Sequence, residues 1–338
     1  MTKTNPDVSF VIAAFNAADT IARAIDSALA QEDVEVEVIV VDDASPDDTA
    51  AIVAALADPR IRLLRLPANR GPGGARNAGL DAARGEWIAI LDADDTVRPA
   101  RLARMIASAR RESADIAVDN LEVLNLDGRR ERMFVDATLE KAPILTLAAF
   151  IESNVLFRAT YNFGYMKPIF ERQFLEQKQL RFRQDIRIGE DYILLASALA
   201  EGGRCVVDPS AGYRYHIRKG SISRVLELRH VDAMIATDAD FLSTHAIDAG
   251  AMAMQRKRSR SLFEARAFLQ LVEHIKSRSL GSAVKTALSS PRALRHLRMP
   301  IAARLRRLVA PLSRLKPATM TVAAERSTSG KSPHTKKG

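Results

Sequence analysis

The chain has 338 residues, one cysteine (Cys205) and a formal net charge of +9. That length supplies a core for one large domain or two modest ones, and a lone thiol excludes both an internal disulfide and a cysteine-based zinc site. The charge is uneven, with 16 Lys and Arg against two acids in residues 251–316 but 30 basic against 38 acidic residues in 1–250, so the body is acidic and argues against a nucleic-acid-coated fold.

Residues 8–14 form a continuous apolar run of strand type. A helix follows, with Ile21, Ala24, Ile25, Ala28 and Leu29 on one face. Residues 34–41 are a second strand ending in Asp42-Asp43, and Ser45-Pro46-Asp47-Asp48 reads as a helix start, Ser45 as cap and Pro46 at the first helical position. Residues 61–66 form a third strand, Gly71-Pro72-Gly73-Gly74 opens a third helix, and residues 86–91 are a fourth strand running into Asp92-Ala93-Asp94-Asp95. This alternation predicts an α/β fold with a mostly parallel sheet whose strands are buried on both faces.

Beyond residue 99 the spacing predicts helices at 99–112, 147–154 and 190–200, strands at 115–118 and 204–207, and loop or edge structure over 125–145. Cys205 falls in the last of these strands and reads as core. Residues 226–279 are mainly helical, and the tail 317–338 has the composition of a disordered segment. The expected organisation is a catalytic domain over 1–225, a basic helical region over 226–316, and that tail.

Ligands of open parallel sheets bind outside the carboxyl ends of the strands. Three polar clusters fall there: Ala14-Phe15-Asn16, Asp42-Asp43 and Asp92–Asp95. Five carboxylates at one sheet edge repel one another unless a cation neutralises them, and Mg²⁺ or Mn²⁺ bridging to a diphosphate is the economical cation. Strand-end aspartates also cap helices, which is the plainer reading of Asp42 or Asp47 alone, but one helix needs only one cap. In Asn69-Arg70-Gly71-Pro72-Gly73-Gly74-Ala75-Arg76-Asn77, glycines at a helix start open the backbone to an anion and the arginines add charge. A tight turn with surface arginines is an equal reading. The segment lacks the ending of a P-loop.

The runs 8–16, 41–49, 69–77 and 85–95, taken in order, resemble the inverting family 2 glycosyltransferases of the GT-A fold. The likeness is close over about the first 100 residues and weaker to about residue 225. The wider chain resembles succinoglycan-type exopolysaccharide glucosyltransferases, which extend a lipid-diphosphate-linked oligosaccharide on the cytoplasmic membrane face. The resemblance implies a UDP-sugar donor. It places the backbone around Ala13 and Ala14 in the nucleobase pocket, Asp43 on the uracil with Asp42 beside it, Asn16 among the donor-binding residues, Asp92 near the ribose and diphosphate, and Asp94 on the metal, with Asp95 in support or as a helix cap. Relatives often carry Gly in place of Ala44. By the same likeness Gly189-Glu190-Asp191-Tyr192 supplies the general base Asp191, with Glu190 orienting it or the acceptor. A helix start favours the anionic form of both. Arg76 joins the anion-binding set; Arg218, Ser221 and Ser223 are candidates to hold the leaving UDP, and His216 is a candidate further metal ligand. Two rivals fit less well. A receiver-like Mg²⁺ module carries its acidic pair after the first strand, and a sugar-phosphate nucleotidyltransferase carries a Gly-rich loop there.

The polar start of the chain lacks a signal-peptide core, and no apolar run approaches the roughly 20 residues that span a bilayer. Leu294, Leu297, Ile301, Leu305, Leu308, Leu312 and Leu315 recur at helical spacing among arginines, with Pro300 and Pro311 as breaks. Such basic amphipathic segments dock on anionic membranes or pack on a core with solvated arginines. The expected location is cytoplasmic, peripheral on the inner face of the cell membrane.

Overall fold

The computed structural model describes residues 5–158, 161–218 and 226–297. Ser221, Ser223, the basic segment beyond residue 297 and the tail lie outside the described residues. The strands are β1 (Val8–Ala14), β2 (Val36–Asp42), β3 (Ile61–Arg65), β4 (Trp87–Ile90), β5 (Thr96–Val97), β6 (Ile116–Leu124), β7 (Arg130–Arg132), β8 (Ile169–Glu171) and β9 (Cys205–His216). They form one sheet in the order β3-β2-β1-β4-β8-β6-β9-β5, with β7 on β6. The helices are α1 (Ile21–Leu29), α2 (Thr49–Ala55), α3 (Gly71–Ala82), α4 (Arg101–Arg111), α5 (Asp136–Glu140), α6 (Leu147–Ser153), α7 (Arg172–Gln177), α8 (Glu190–Ala200), α9 (Leu228–Thr244), α10 (Ala249–Lys276) and α11 (Leu280–Ser289).

β1 pairs in parallel with β2 and β4, and β2 with β3, as the alternating pattern requires. Phe10, Val11, Ile12, Val38, Ile39 and Val40 are fully buried, which is why these runs carry no polar alternation. The register places Ala14 beside Asp42 and Val11 beside Ile90, so the polar clusters after β1, β2 and β4 emerge at one edge. Past β4 the sheet becomes mixed: β8 runs antiparallel to β4, with Ala89 paired to Ile169 and Ile88 to Phe170, while β6 and β9 pair in parallel. Following that register outward brings the residues before β8 alongside those after β4.

Two boundaries differ from the sequence reading. α2 starts at Thr49 rather than at Pro46, because Asp47 folds the preceding turn: its Oδ1 accepts from the Thr49 N–H (3.1 Å) and hydroxyl (2.5 Å), and its Oδ2 from the Ala18 N–H. Ser45 Oγ accepts instead from the Asn16 N–H across the loop, at 3.1 Å. The short strand expected near residue 204 runs on to His216. Pro209 looks like a terminator, but β6 pairs Asp119 with Asp208 and Asn120 with Ala211, so a bulge takes up Pro209 and Ser210 and the ladder resumes. Cys205 is fully buried in this strand, and burial pushes its thiol up, as suits a core residue.

The C-terminal helices share the main core, which includes Phe241 and Ala251. Buried Arg258 of α10 joins three elements: Nε donates to Asp238 Oδ2 of α9 at 2.9 Å, Nη1 to the Asn154 carbonyl after α6 at 2.9 Å, and its guanidinium lies 3.8 Å from the Tyr192 ring centre of α8.

Candidate active site

Two buried cations organise the acidic residues at the sheet edge. Arg76, on α3, donates from Nη2 to Asp92 Oδ1 (2.8 Å) and from Nη1 to Glu190 Oε1 (2.7 Å) and Asp191 Oδ1 (2.8 Å). Lys167 donates from Nζ to Asp92 Oδ2 (2.8 Å) and Asp191 Oδ2 (2.6 Å). Asp92 follows β4 and Asp191 opens α8, so residues far apart in the chain meet through one ion-pair lattice. Burial opposes charge on Asp92, yet Lys167 and Arg76 outweigh it and hold its carboxyl well below the usual carboxylate range. Burial likewise opposes charge on both cations, and the carboxylates around them, Asp191 and Asp92 foremost, override it and keep them protonated.

Lys167 is the functional candidate that the sequence reading missed. Its signal was one lysine before Pro168-Ile169-Phe170, with no spacing to tie it to Asp92. The antiparallel joint between β4 and β8 makes that tie. Arg76, expected to offer charge to a bound anion, instead spends both terminal nitrogens on protein carboxylates.

The glycine segment at α3 is likewise occupied from within. Asp43 Oδ1 accepts from the Arg70 N–H at 2.7 Å, so the anion at this helix start is the protein's own carboxylate. A Cβ on Gly73 would lie 2.0 Å from the Arg183 carbonyl oxygen, so this glycine serves close packing of α3 on the segment before α8. Asp42 Oδ1 accepts from the Ser45 N–H at 3.2 Å. Both acids are buried, and burial followed by the Asp42 charge raises the carboxyl of Asp43. Asn16 and Ala44 stand at φ 53° and 58°, a left-handed backbone that glycine adopts without strain. Ala13 and Ala14 line the end of β1 beside them.

The three acids after β4 have separate surroundings. Asp95 is fully committed: Oδ2 accepts from the Tyr213 hydroxyl and Oδ1 from the His216 N–H, each at 2.8 Å. Burial, with Asp92 and Asp94 nearby, raises its carboxyl well above the ordinary value. Asp94 is half-exposed, and among the described residues its carboxylate pairs with Arg218, whose Nη1 lies 3.9 Å from Oδ2. Burial and then the Asp92 charge raise the Asp94 carboxyl. His216 Nε2 lies 3.0 Å from the Thr96 hydroxyl. Burial, then Arg23 and Arg214, lower its imidazole to about 4, so the ring is neutral near pH 7.

Among the described residues no three His, Cys, Asp or Glu side chains gather as a metal-binding group. The donor set nevertheless fits an ion held jointly with a substrate. Both oxygens of Asp92 and of Asp95 are taken by protein donors, whereas among the described residues Asp94 meets only the long ion pair with Arg218, at 3.9 Å. One carboxylate plus diphosphate oxygens is a common way to hold Mg²⁺. His216 would have to give up Thr96 to ligate through Nε2.

Residues 9–174 match the family model described as glycosyl transferase family 2. Over 98% of its length the chain is 66% identical to the succinoglycan biosynthesis protein ExoO of Rhizobium meliloti (strain 1021), covering 97% of that protein. The chain belongs to glycosyl transferase family 2. Over 88 residues it is 44% identical to WfaP of Escherichia coli, a UDP-Glc:alpha-D-GlcNAc-diphosphoundecaprenol beta-1,3-glucosyltransferase, a match spanning 26% of this chain and 35% of that one. Among solved structures, Staphylococcus aureus TarS (residues 1–349) in complex with UDP-GlcNAc superposes with a TM-score of 0.64 at 18% identity, over 85% of this chain and 92% of that one. The mannosyltransferase PcManGT of Pyrobaculum calidifontis, in complex with GDP-Man and Mn²⁺, superposes with a TM-score of 0.57 at 19% identity, over 91% and 88%. These structures agree with the GT-A fold expected from the motifs. The family model ends before Glu190 and Asp191, so the case for those two rests on the lattice and on the motif at the α8 start.

Proposed function

We propose that this family 2 enzyme transfers a glucosyl group, with inversion, from UDP-glucose to a lipid-diphosphate-linked saccharide during assembly of a succinoglycan-type exopolysaccharide, at the cytoplasmic membrane face. The carrying observation is the Arg76–Lys167 lattice, which holds the α8 carboxylates against Asp92 at the strand end where donors of such sheets lie. The likeness to ExoO over nearly the whole chain supports the pathway, and the name of WfaP supports the donor and the class of acceptor.

In this reading Asp191 is the base. The acceptor oxygen bonds to the anomeric carbon from the face opposite UDP and its proton passes to Asp191, while the bond from that carbon to the phosphate oxygen breaks and its electron pair leaves with UDP. To meet the acceptor hydroxyl, Asp191 exchanges one of its two cationic contacts; the other keeps it aimed. Glu190, tied to the same Arg76 nitrogen, positions it. Asp92 faces the ribose and diphosphate; Ala13, Asn16, Asp42 and Asp43 surround the nucleobase. Asp94 would hold Mg²⁺ or Mn²⁺, with His216 as a second candidate ligand, and the ion would offset charge on the diphosphate. Arg218, beside Asp94, would meet the leaving UDP together with Ser221 and Ser223.

Asp191→Asn tests this directly. It should cut transfer by about 10²–10⁴-fold while calorimetric affinity for UDP-glucose stays unchanged. Substantial residual transfer removes Asp191 as base, and a donor panel in which another nucleotide sugar turns over faster removes glucose.

A further inference from the structure

α11 turns an apolar stripe outward that nothing among the described residues covers. Leu280, Val284 and Leu288 recur at the four-residue spacing that aligns side chains on one helix face, and they are 73%, 58% and 78% exposed. Ala283, on the other side, is buried. Scattered exposed apolar residues are ordinary on a surface; three aligned on a ten-residue helix form a face. Ile275 before it and Leu294 after it are also exposed.

The charge in and beside this helix is predominantly basic, with Glu264 and Glu273 of α10 the neighbouring acids. Residues 274–297 contain Lys276, Arg278, Lys285, Arg292 and Arg295 and no Asp or Glu. All five are exposed. Among the described residues only Arg295 has a carboxylate partner, Glu264, at 3.4 Å.

We infer that α11 is a membrane-docking helix that lies in the headgroup layer of an anionic phospholipid bilayer. Leu280, Val284 and Leu288 enter the acyl boundary, and the five cations meet lipid phosphates. A helix of this length, about 15 Å, lies on a bilayer rather than across it, and no described helix is long and apolar enough to cross one. Charge argues against the other occupants. A symmetric contact with a second copy would set the five cations against themselves. The chain's own segment 298–316 carries six Lys and Arg and no acid, so it offers these cations no counter-charge. A nucleic acid would satisfy the cations and leave the leucines in water. The inference deepens the membrane-side placement proposed above and rests on that reading for its purpose. Vesicle binding is measured without donor or acceptor, so the two fail separately.

The test is flotation of the purified full chain with phosphatidylglycerol–phosphatidylcholine vesicles and with phosphatidylcholine vesicles. The wild type should bind the anionic vesicles at least about tenfold more tightly than the neutral ones. The triple variant Leu280→Ser/Val284→Ser/Leu288→Ser should lose about tenfold or more of that binding, with its circular dichroism and UDP-glucose affinity unchanged. Lys276→Gln/Lys285→Gln should weaken binding and flatten its salt dependence. The inference is overturned if the triple variant floats like the wild type, if the wild type binds neither vesicle, or if the triple substitution converts a dimer to a monomer in light scattering without changing flotation.

Discussion

Two acidic groups stand at the same sheet edge and are held in opposite ways. Asp42 and Asp43, at the end of β2, accept from backbone N–H groups: Asp42 from nearby Ser45, and Asp43 from Arg70 at the start of α3. Asp92, after β4, is satisfied by two side chains from elsewhere in the fold, Arg76 and Lys167, which also hold Asp191. The first arrangement is what any turn or helix start does with an aspartate. The second joins the end of β4 to the α8 carboxylates. Identical residues thus serve a turn in one place and the assembly of a site in the other, according to where their counter-charges come from.

The comparison breaks most visibly at the cations. Arg76→Met leaves Asp92, Glu190 and Asp191 short of a partner in a buried setting, and should cost about 3–5 kcal/mol in urea unfolding and abolish transfer. Lys167→Met should act in the same direction, with a larger loss of transfer than of stability because Arg76 still holds the lattice together. If Asp43→Asn destabilises as much as Arg76→Met, the distinction between the two acidic groups is lost.

Next in size is the metal. Asp94→Asn should weaken Mn²⁺-dependent UDP binding by about tenfold or more, or roughly 1.4 kcal/mol. An unchanged calorimetric affinity in the presence of Mn²⁺ would remove Asp94 as the ligand. The pair at the β2 end should respond less: Asp42→Asn or Asp43→Asn should cost about 1 kcal/mol of stability, because a charged acceptor of a backbone N–H is replaced by a neutral one. The effect on UDP affinity separates a nucleobase role from a purely structural one.

The smallest expected effect concerns pH. His216 has a folded-state pKa lowered from 6.5 to about 4, so the unfolded chain binds the extra proton between those values. Its contribution to stability is therefore complete above about pH 6.5 and is lost as the pH falls toward 4. Its partial exposure keeps that contribution modest. His216→Gln should flatten the stability slope in that window in denaturant titrations; an unchanged slope would assign the acid sensitivity to other groups.

Much of the site was legible in the residues. The acids stand at the ends of β2 and β4, Gly71 opens α3 and Glu190 opens α8, at the element ends that the residues predict. What the residues concealed is how their charges are met. Crowded carboxylates implied an external cation; Arg76 and Lys167 supply the compensation at Asp92 and Asp191, and among the described residues Asp94 is left with only the 3.9 Å pair to Arg218. Lys167 was invisible because a lone lysine in the segment before a short antiparallel strand carries no periodic signal. β9 was read too short because Pro209 reads as a stop unless a bulge absorbs it.

The amino-acid sequence by itself determined the parallel half of the sheet, since unbroken apolar runs ending in polar residues have one stable burial, between two helical layers. It also determined the family, through four ordered motifs. Only the tertiary structure decided which acids are neutralised by the protein, because ion pairs between residues 76, 92, 167 and 191 depend on the register of β4 with β8 and on the approach of α8 to α3. Only it showed that the stripe on α11 faces outward, since helical spacing places Leu280, Val284 and Leu288 on one face without saying whether that face is covered.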